Sequence, residues 1–166
     1  MKRIVCLIIS CLILLCLFGC GKEEITYVSP AKLFYCTKSV SYNSEKGVID
    51  SELREFADWK QEYRDFLNVY LSGPRTPELK SPFPLGGWIL ELEQKDSQVN
   101  LLLNLNFSFL SPNELTLACA CISLTVMELM QVDTVNIQID GNMQDPTVIT
   151  MTKDNLFFTD NTLIHQ

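Results

Sequence analysis

The residues able to do chemistry in this sequence are few and poorly spaced for catalysis. A serine or cysteine nucleophile needs a base to take its proton, and the one histidine, His165, stands next to the last residue. Zinc needs three or four converging ligands, whereas Cys119 and Cys121 are two apart on a helix-like run, so their side chains diverge by about 200°. They read as small core residues. Cys36 can pair with one of them only if the strand and the helix that carry them meet, and free thiols are the other reading. Glu91 and Glu93 share one strand face, which suits a carboxylate dyad for glycan cleavage, but the solvated face of a hairpin has the same spacing. Gly86 and Gly87 precede a strand and lack the phosphate-loop pattern. The expectation is therefore a chain that is not an enzyme and holds no metal.

Cys20 alone has neighbours that specify a reaction. Lys2 and Arg3 precede a run from Ile4 to Phe18 that only Ser10 interrupts, and the run closes on Leu17, Phe18, Gly19 and Cys20. That ending resembles the lipobox of bacterial lipoproteins, in which an aliphatic residue and a small residue lead to the lipidated cysteine. Gly19 lets a peptidase fit the bond, and the Cys20 sulfur carries diacylglycerol through a thioether, with or without a further N-acyl chain. Cys6, Cys11 and Cys16 lie in the same run without those neighbours. The run of about 15 apolar residues is short of the roughly 20 that cross a bilayer. The expected organisation is a signal peptide over 1–19 and a polar tether over 20–30. This places the chain at the extracytoplasmic face of the cell membrane, held by its lipid. No cofactor beyond that covalent lipid is implied. Without Lys2 and Arg3, 11 basic residues face 20 acidic ones, a net charge of −9. Such a surface repels nucleic acid and anionic headgroups alike.

The elements that must position these residues follow from periodicity and punctuation. Ala31–Tyr42, with Leu33, Phe34, Tyr35, Cys36 and Val40, predicts a strand that ends in the turn-prone 43–47 stretch. Phe56, Trp59, Tyr63, Phe66, Leu67 and Tyr70 recur at three and four, predicting an amphipathic helix over Ser51–Ser72. Asp50 or Ser51 would cap it, Glu52 and Glu55 would sit at the positive end of its dipole, and Gly73 with Pro74 would stop it. Residues 74–87, with Pro74, Pro77, Pro82 and Pro84, predict a non-regular connection. A hairpin follows, with Trp88, Leu90 and Leu92 inward on the first strand and Val99, Leu101, Leu103, Leu105 and Phe107 inward on the second. Ser111, Pro112 and Glu114 form a capping box for a helix reaching Met130, apolar on nearly every side and therefore deeply covered, with the proline-rich connection as the expected cover. Val135, Ile137 and Ile139 make another strand, with 147–151 as its expected neighbour and 153–166 as a tail. The fold class is α/β of the α+β kind: one two-layer sandwich over 31–152 in β-α-β-β-α-β order, two helices on a mixed sheet, with a C-terminal strand or tail extension.

Within that order the segment Tyr70, Leu71, Ser72, Gly73, Pro74, followed by Leu79, Lys80, Ser81, Pro82, Phe83 and Pro84, resembles the signature of the GerMN domain of sporulation and germination proteins. The strand from Val135 to Gly141 resembles it as well, and the likeness spans about 32–142. The family is one of cell-surface lipoproteins of Gram-positive bacteria, whose domain acts as a binding or assembly module. The resemblance implies a non-catalytic role here, in sporulation, germination or envelope complexes, with one copy of the domain where the protein that names the family has two. Two readings stay open. In the first, the domain docks onto an envelope or sporulation protein, or onto copies of itself, through a helix face, a sheet edge or the connection around Pro82, Phe83 and Trp88. In the second it binds a small solute or cell-wall glycan, with Tyr63, Tyr70 and Trp88 as stacking aromatics. Trp88, after two glycines, is the best of these, although its alternation with Leu90 and Leu92 turns it inward.

Overall fold

Leu33 and Tyr35 alternate with Lys32 and Phe34, and this two-residue period forms strand β1 (Ala31–Thr37), whose inward side chains are fully buried. The computed structural model describes residues 30–38, 48–55, 63–141 and 148–156. Leu17, Gly19 and Cys20, the tether through residue 29, the 43–47 turn, Phe56, Trp59 and His165 lie outside the described residues.

β1 is the middle strand of a three-stranded antiparallel sheet in the order β2-β1-β3, with β2 at Ile49–Arg54 and β3 at Leu79–Lys80. β2 corrects the expectation of a helix beginning at Ser51, because Asp50, Ser51 and Glu52 are strand residues and none of them caps a helix. The misreading has a physical cause. Glu52 and Arg54 are buried while Leu53 points to solvent at 68 % exposure, so the polar and apolar faces are exchanged relative to an ordinary strand. Helix α1 is described over Tyr63–Leu71; Phe66, Leu67 and Tyr70 form its buried side, and Gly73, at φ 111°, ends its C-terminal turn.

The second sheet has the order β4-β5-β6-β7, formed by Ile89–Lys95, Gln98–Leu103, Thr134–Ile139 and Ile149–Thr152. β4 and β5 form a hairpin through Asp96 and Ser97, and Asp96 takes the left-handed conformation at φ 54°. β5 and β6 run parallel, so the long helix α2 (Pro112–Met130) is their crossover. The β5 strand stops at Leu103, and Leu105–Phe109 is a 3₁₀ turn, which corrects the expected extension of the strand to Phe107. Phe107 is fully buried even so, whereas Leu105 is half-exposed.

The expected α+β class holds, and the six expected elements survive in sequence order as β1, α1, β4, β5, α2 and β6. The sheet is divided in two, with β2 and β3 added, and the expected C-terminal strand is β7, paired with β6. α2 contacts β1 of one sheet and β6 and β7 of the other. These strands are part of its cover. By length and composition α2 could cross a membrane, but 61 % of its apolar window is buried in the fold, as befits a core helix. Its start keeps the predicted box: the Ser111 N–H and hydroxyl donate to the Glu114 carboxylate at 3.0 and 2.7 Å, which holds that carboxyl below its usual range.

Candidate functional site

The segment carrying the family-like signature is fixed from below by buried polar groups. Glu52 on β2 pairs with Arg54, and its carboxylate accepts the backbone N–H of Arg75 at 3.0 Å and of Thr76 at 2.8 Å. Arg54 donates to the Gly73 carbonyl at 2.5 Å, and the Tyr35 hydroxyl donates to the carbonyls of Tyr70 at 3.0 Å and Gly73 at 3.2 Å. Burial acts to raise the Glu52 pKa, but the Thr76 side chain, the two amides and Arg54 together hold it below the usual carboxylate range. Burial drives the Tyr35 and Tyr70 hydroxyls upward, so both are neutral donors. The Tyr70 hydroxyl closes the arrangement by donating to the Phe34 carbonyl at 2.7 Å. These residues hold the Gly73–Thr76 turn, their charges and donors paired with one another and with the backbone.

Further along the connection, the expected surface residues separate. Phe83 is half-buried, its ring packed on Tyr70 at 4.9 Å and Tyr35 at 6.0 Å between centroids, and Pro82 is half-buried. Tyr70 is fully buried and Tyr63 partly so, which removes the first and restricts the second as a sugar-stacking face. Trp88 is exposed to 50 %, against the inward direction its alternation suggested. A bulge at Leu90 changes the parity of β4, so that Ile89 faces the core opposite Leu103 and Leu92 follows opposite Leu101.

Leu85, just before the two glycines, is fully exposed, and Phe109 on the 3₁₀ turn is 78 % exposed. Sequence reasoning missed both, because a single leucine in a loop and a phenylalanine at the end of an apolar run look like core. The two segments that carry them are locked together. Asn106 Nδ2 donates to the carbonyls of Leu85 at 3.2 Å and Gly86 at 2.7 Å, and Asn104 Nδ2 donates to the Gly86 carbonyl at 2.9 Å. Asn104 Oδ1 accepts the Trp88 N–H at 3.1 Å, and the Asn104 N–H donates to the Trp88 carbonyl at 2.9 Å. Gly86 sits at φ 70°, and a Cβ on Gly87 would lie 3.0 Å from the Pro84 carbonyl and 3.1 Å from the Phe107 ring. Leu85 and Trp88 thus stand exposed on one of these bonded segments and Leu105 and Phe109 on the other, together called the ledge below. Beside it, Leu105 forms one wall of an open groove of about 500 Å³ with Leu115, Ile139, Gly141 and Ile149.

The outer face of the four-stranded sheet differs in chemistry. Glu93, Asn100, Asn136 and Thr150 stand in one row across the strands. Asn136 Nδ2 donates to Asn100 Oδ1 at 3.0 Å, and the Thr150 hydroxyl donates to Asn136 Oδ1 at 2.9 Å. Glu93, Asn100 and Asn136, with Glu91, Leu102 and Gln138, line an open groove of about 470 Å³. Glu91 and Glu93 are both exposed there, beside amides. Among the described residues, no group of three or more His, Cys, Asp or Glu side chains is gathered so as to hold a metal ion.

A clamped glycine-proline turn, exposed apolar side chains and a polar sheet face sit on one α+β frame, and the frame is the GerMN fold. No family model matches the sequence, and no curated protein matches it. Among solved structures, the chain is similar to the first GerMN domain of the sporulation protein GerM from Bacillus subtilis, at a TM-score of 0.56 and 12 % identity, over 76 % of this chain and 99 % of that one. It is also similar to the tandem GerMN domains of the same protein, at a TM-score of 0.52 and 19 % identity over 78 % of this chain. This chain spans about half of the tandem structure, 48 %. A candidate lipoprotein from Clostridium perfringens aligns at a TM-score of 0.48 and 16 % identity, over 78 % of this chain and 93 % of that one.

Proposed function

We propose that this chain is a lipid-anchored, non-catalytic binding domain of the cell envelope that docks a protein partner on the ledge of Leu85, Trp88, Leu105 and Phe109. The observation that carries the reading is the exposure of four large apolar side chains on segments held rigid by Asn104 and Asn106. A rigid apolar surface loses little entropy on binding, and tryptophan is a residue type that often dominates an interface. The partner is expected to be a different protein with a basic rim, because two copies carrying −9 each repel one another. The lipobox around Cys20 supports an address at the extracytoplasmic face of the membrane, and the fold shared with a sporulation protein supports a role in sporulation or germination complexes.

The test is photo-crosslinking in cells, during growth and sporulation, with a photoreactive residue at position 85 or 109. Recovery of one defined envelope protein at both positions, lost on Trp88→Ala, is the expected result. Recovery of lipid alone, or of the chain itself, would sink the heterologous partner. Cys20→Ala tests the anchor separately: the precursor should stay unlipidated and uncleaved, with the domain's melting temperature unchanged.

The polar groove of the outer sheet face favours a second reading, in which Glu91, Asn100, Asn136 and Gln138 bind a solute or cell-wall glycan through paired hydrogen bonds. Titrating wall-glycan fragments against the amide signals of Asn100 and Asn136 distinguishes the two. Saturable shifts confined to those residues would move the function from the ledge to the sheet.

A further inference from the structure

β1 and α2 are tied by a bond across 91 positions of sequence, in which the Phe34 N–H donates to Thr125 Oγ1 at 3.0 Å. Two residues further along β1, about 7 Å on, stands Cys36. One turn back along α2, about 6 Å away, stands Cys121. The two steps run alongside each other, and the thiols of Cys36 and Cys121 meet in a hydrogen bond. Both residues are buried, at 1 % and 0 % exposure. Cys119 lies about 200° around the helix from Cys121. Its thiol is pushed up to about 12 by burial alone.

From this geometry we propose that Cys36 and Cys121 form a disulfide when the exported chain folds, joining β1 to α2, and that Cys119 remains a thiol. The pair is reduced in the structure described here. Closure needs an oxidant, a low-molecular-weight disulfide or the disulfide form of an envelope oxidoreductase. The Cys36 thiolate attacks one sulfur of that disulfide. The sulfur–sulfur bond breaks and the first thiolate leaves, taking up a proton. Cys121, after giving its proton to solvent, attacks the Cys36 sulfur and expels the second thiolate. Two protein thiols are oxidised as one disulfide is reduced to two thiols. Because both sulfurs are buried in the finished fold, the exchange belongs to folding, before β1 and α2 close over the pair.

The inference rests on the envelope reading only for the oxidising compartment, so the experiment reads the two apart. The full chain is extracted from membranes in detergent, reduced, denatured and refolded in oxidised and reduced glutathione. It is then alkylated under denaturing conditions and mapped by mass spectrometry. A peptide joining Cys36 to Cys121, with Cys119 alkylated and a melting temperature raised by ~5–10 °C over the reduced protein, is expected. Alkylation of all three thiols, or a bridge through Cys119, overturns the proposal. Cys20 is read from the same spectra: if it is alkylated and not lipidated, the anchor has failed and the disulfide has not. The bridge formed by glutathione but missing from protein alkylated directly in cells would count against the oxidising address alone.

Discussion

Glu52 is the residue whose loss should cost most for its size. Glu52→Gln leaves Arg54 buried beside a neutral amide and replaces one of the two acceptor oxygens by an NH2 donor, so that Arg54 and the Arg75 and Thr76 N–H groups can no longer all be served, which should destabilise the fold by about 3 kcal/mol. Urea unfolding at neutral pH measures it, and a loss below ~1 kcal/mol would mean the turn finds other partners. Acid adds a second check. The folded carboxyl titrates below its unfolded value, so its contribution is complete above about pH 4.3 and is lost as the pH falls from there toward the folded pKa. The wild-type midpoint should therefore drop across that window more steeply than that of Glu52→Gln. Little of this was legible in the sequence. A glutamate and an arginine flanking a leucine read as a solvated helix face, and only the return of the Gly73–Thr76 backbone, some twenty residues later, makes their burial favourable.

Among the elements, the ledge is the one whose rigidity can be tested directly. Gly86→Ala places a Cβ at positive φ, 2.9 Å from Asn106 Nδ2, and Asn106→Ala removes both bonds to the Leu85–Gly86 carbonyls. Each should lower stability by about 1–2 kcal/mol and speed amide hydrogen exchange at Leu85–Trp88, with the hairpin core unaffected. Unchanged exchange would mean that Phe107 beneath Gly87 is the real support. The hairpin and α2 could be read in advance because their patterns are local: alternation in Val99, Leu101 and Leu103, and the capping box at Ser111 and Glu114. What escaped was set by single insertions and distant contacts. One extra residue at Leu90 exchanges the faces at the start of β4, so that Ile89 and not Trp88 turns inward, and Asn104 diverts the chain into a turn where the apolar run Leu103, Leu105, Phe107 still looks like strand. The Gly-Pro signature was legible as family likeness, but its purpose became visible only with β2 beneath it.

For the molecule as a whole, the apolar ledge and the acidic remainder should be separable by mutation. Leu85→Ser combined with Phe109→Ser removes two exposed side chains with no part in the core, so the melting temperature should move by less than about 2 °C while partner crosslinking falls at least tenfold. Loss of folding instead would assign those side chains to structure. The position of β1 carries a different consequence, a mechanical one. β1, the first described strand, is also the central strand of its sheet, hydrogen-bonded to β2 on one side and β3 on the other and joined to α2 through Thr125. A membrane anchor upstream of Ala31 would deliver any pull between the membrane and a bound partner into that strand. Its ladders to β2 and β3 would be loaded together, so that they shear as one unit where an edge strand would unzip bond by bond. The domain is thus built to bear tension at the end where an anchored protein would feel it.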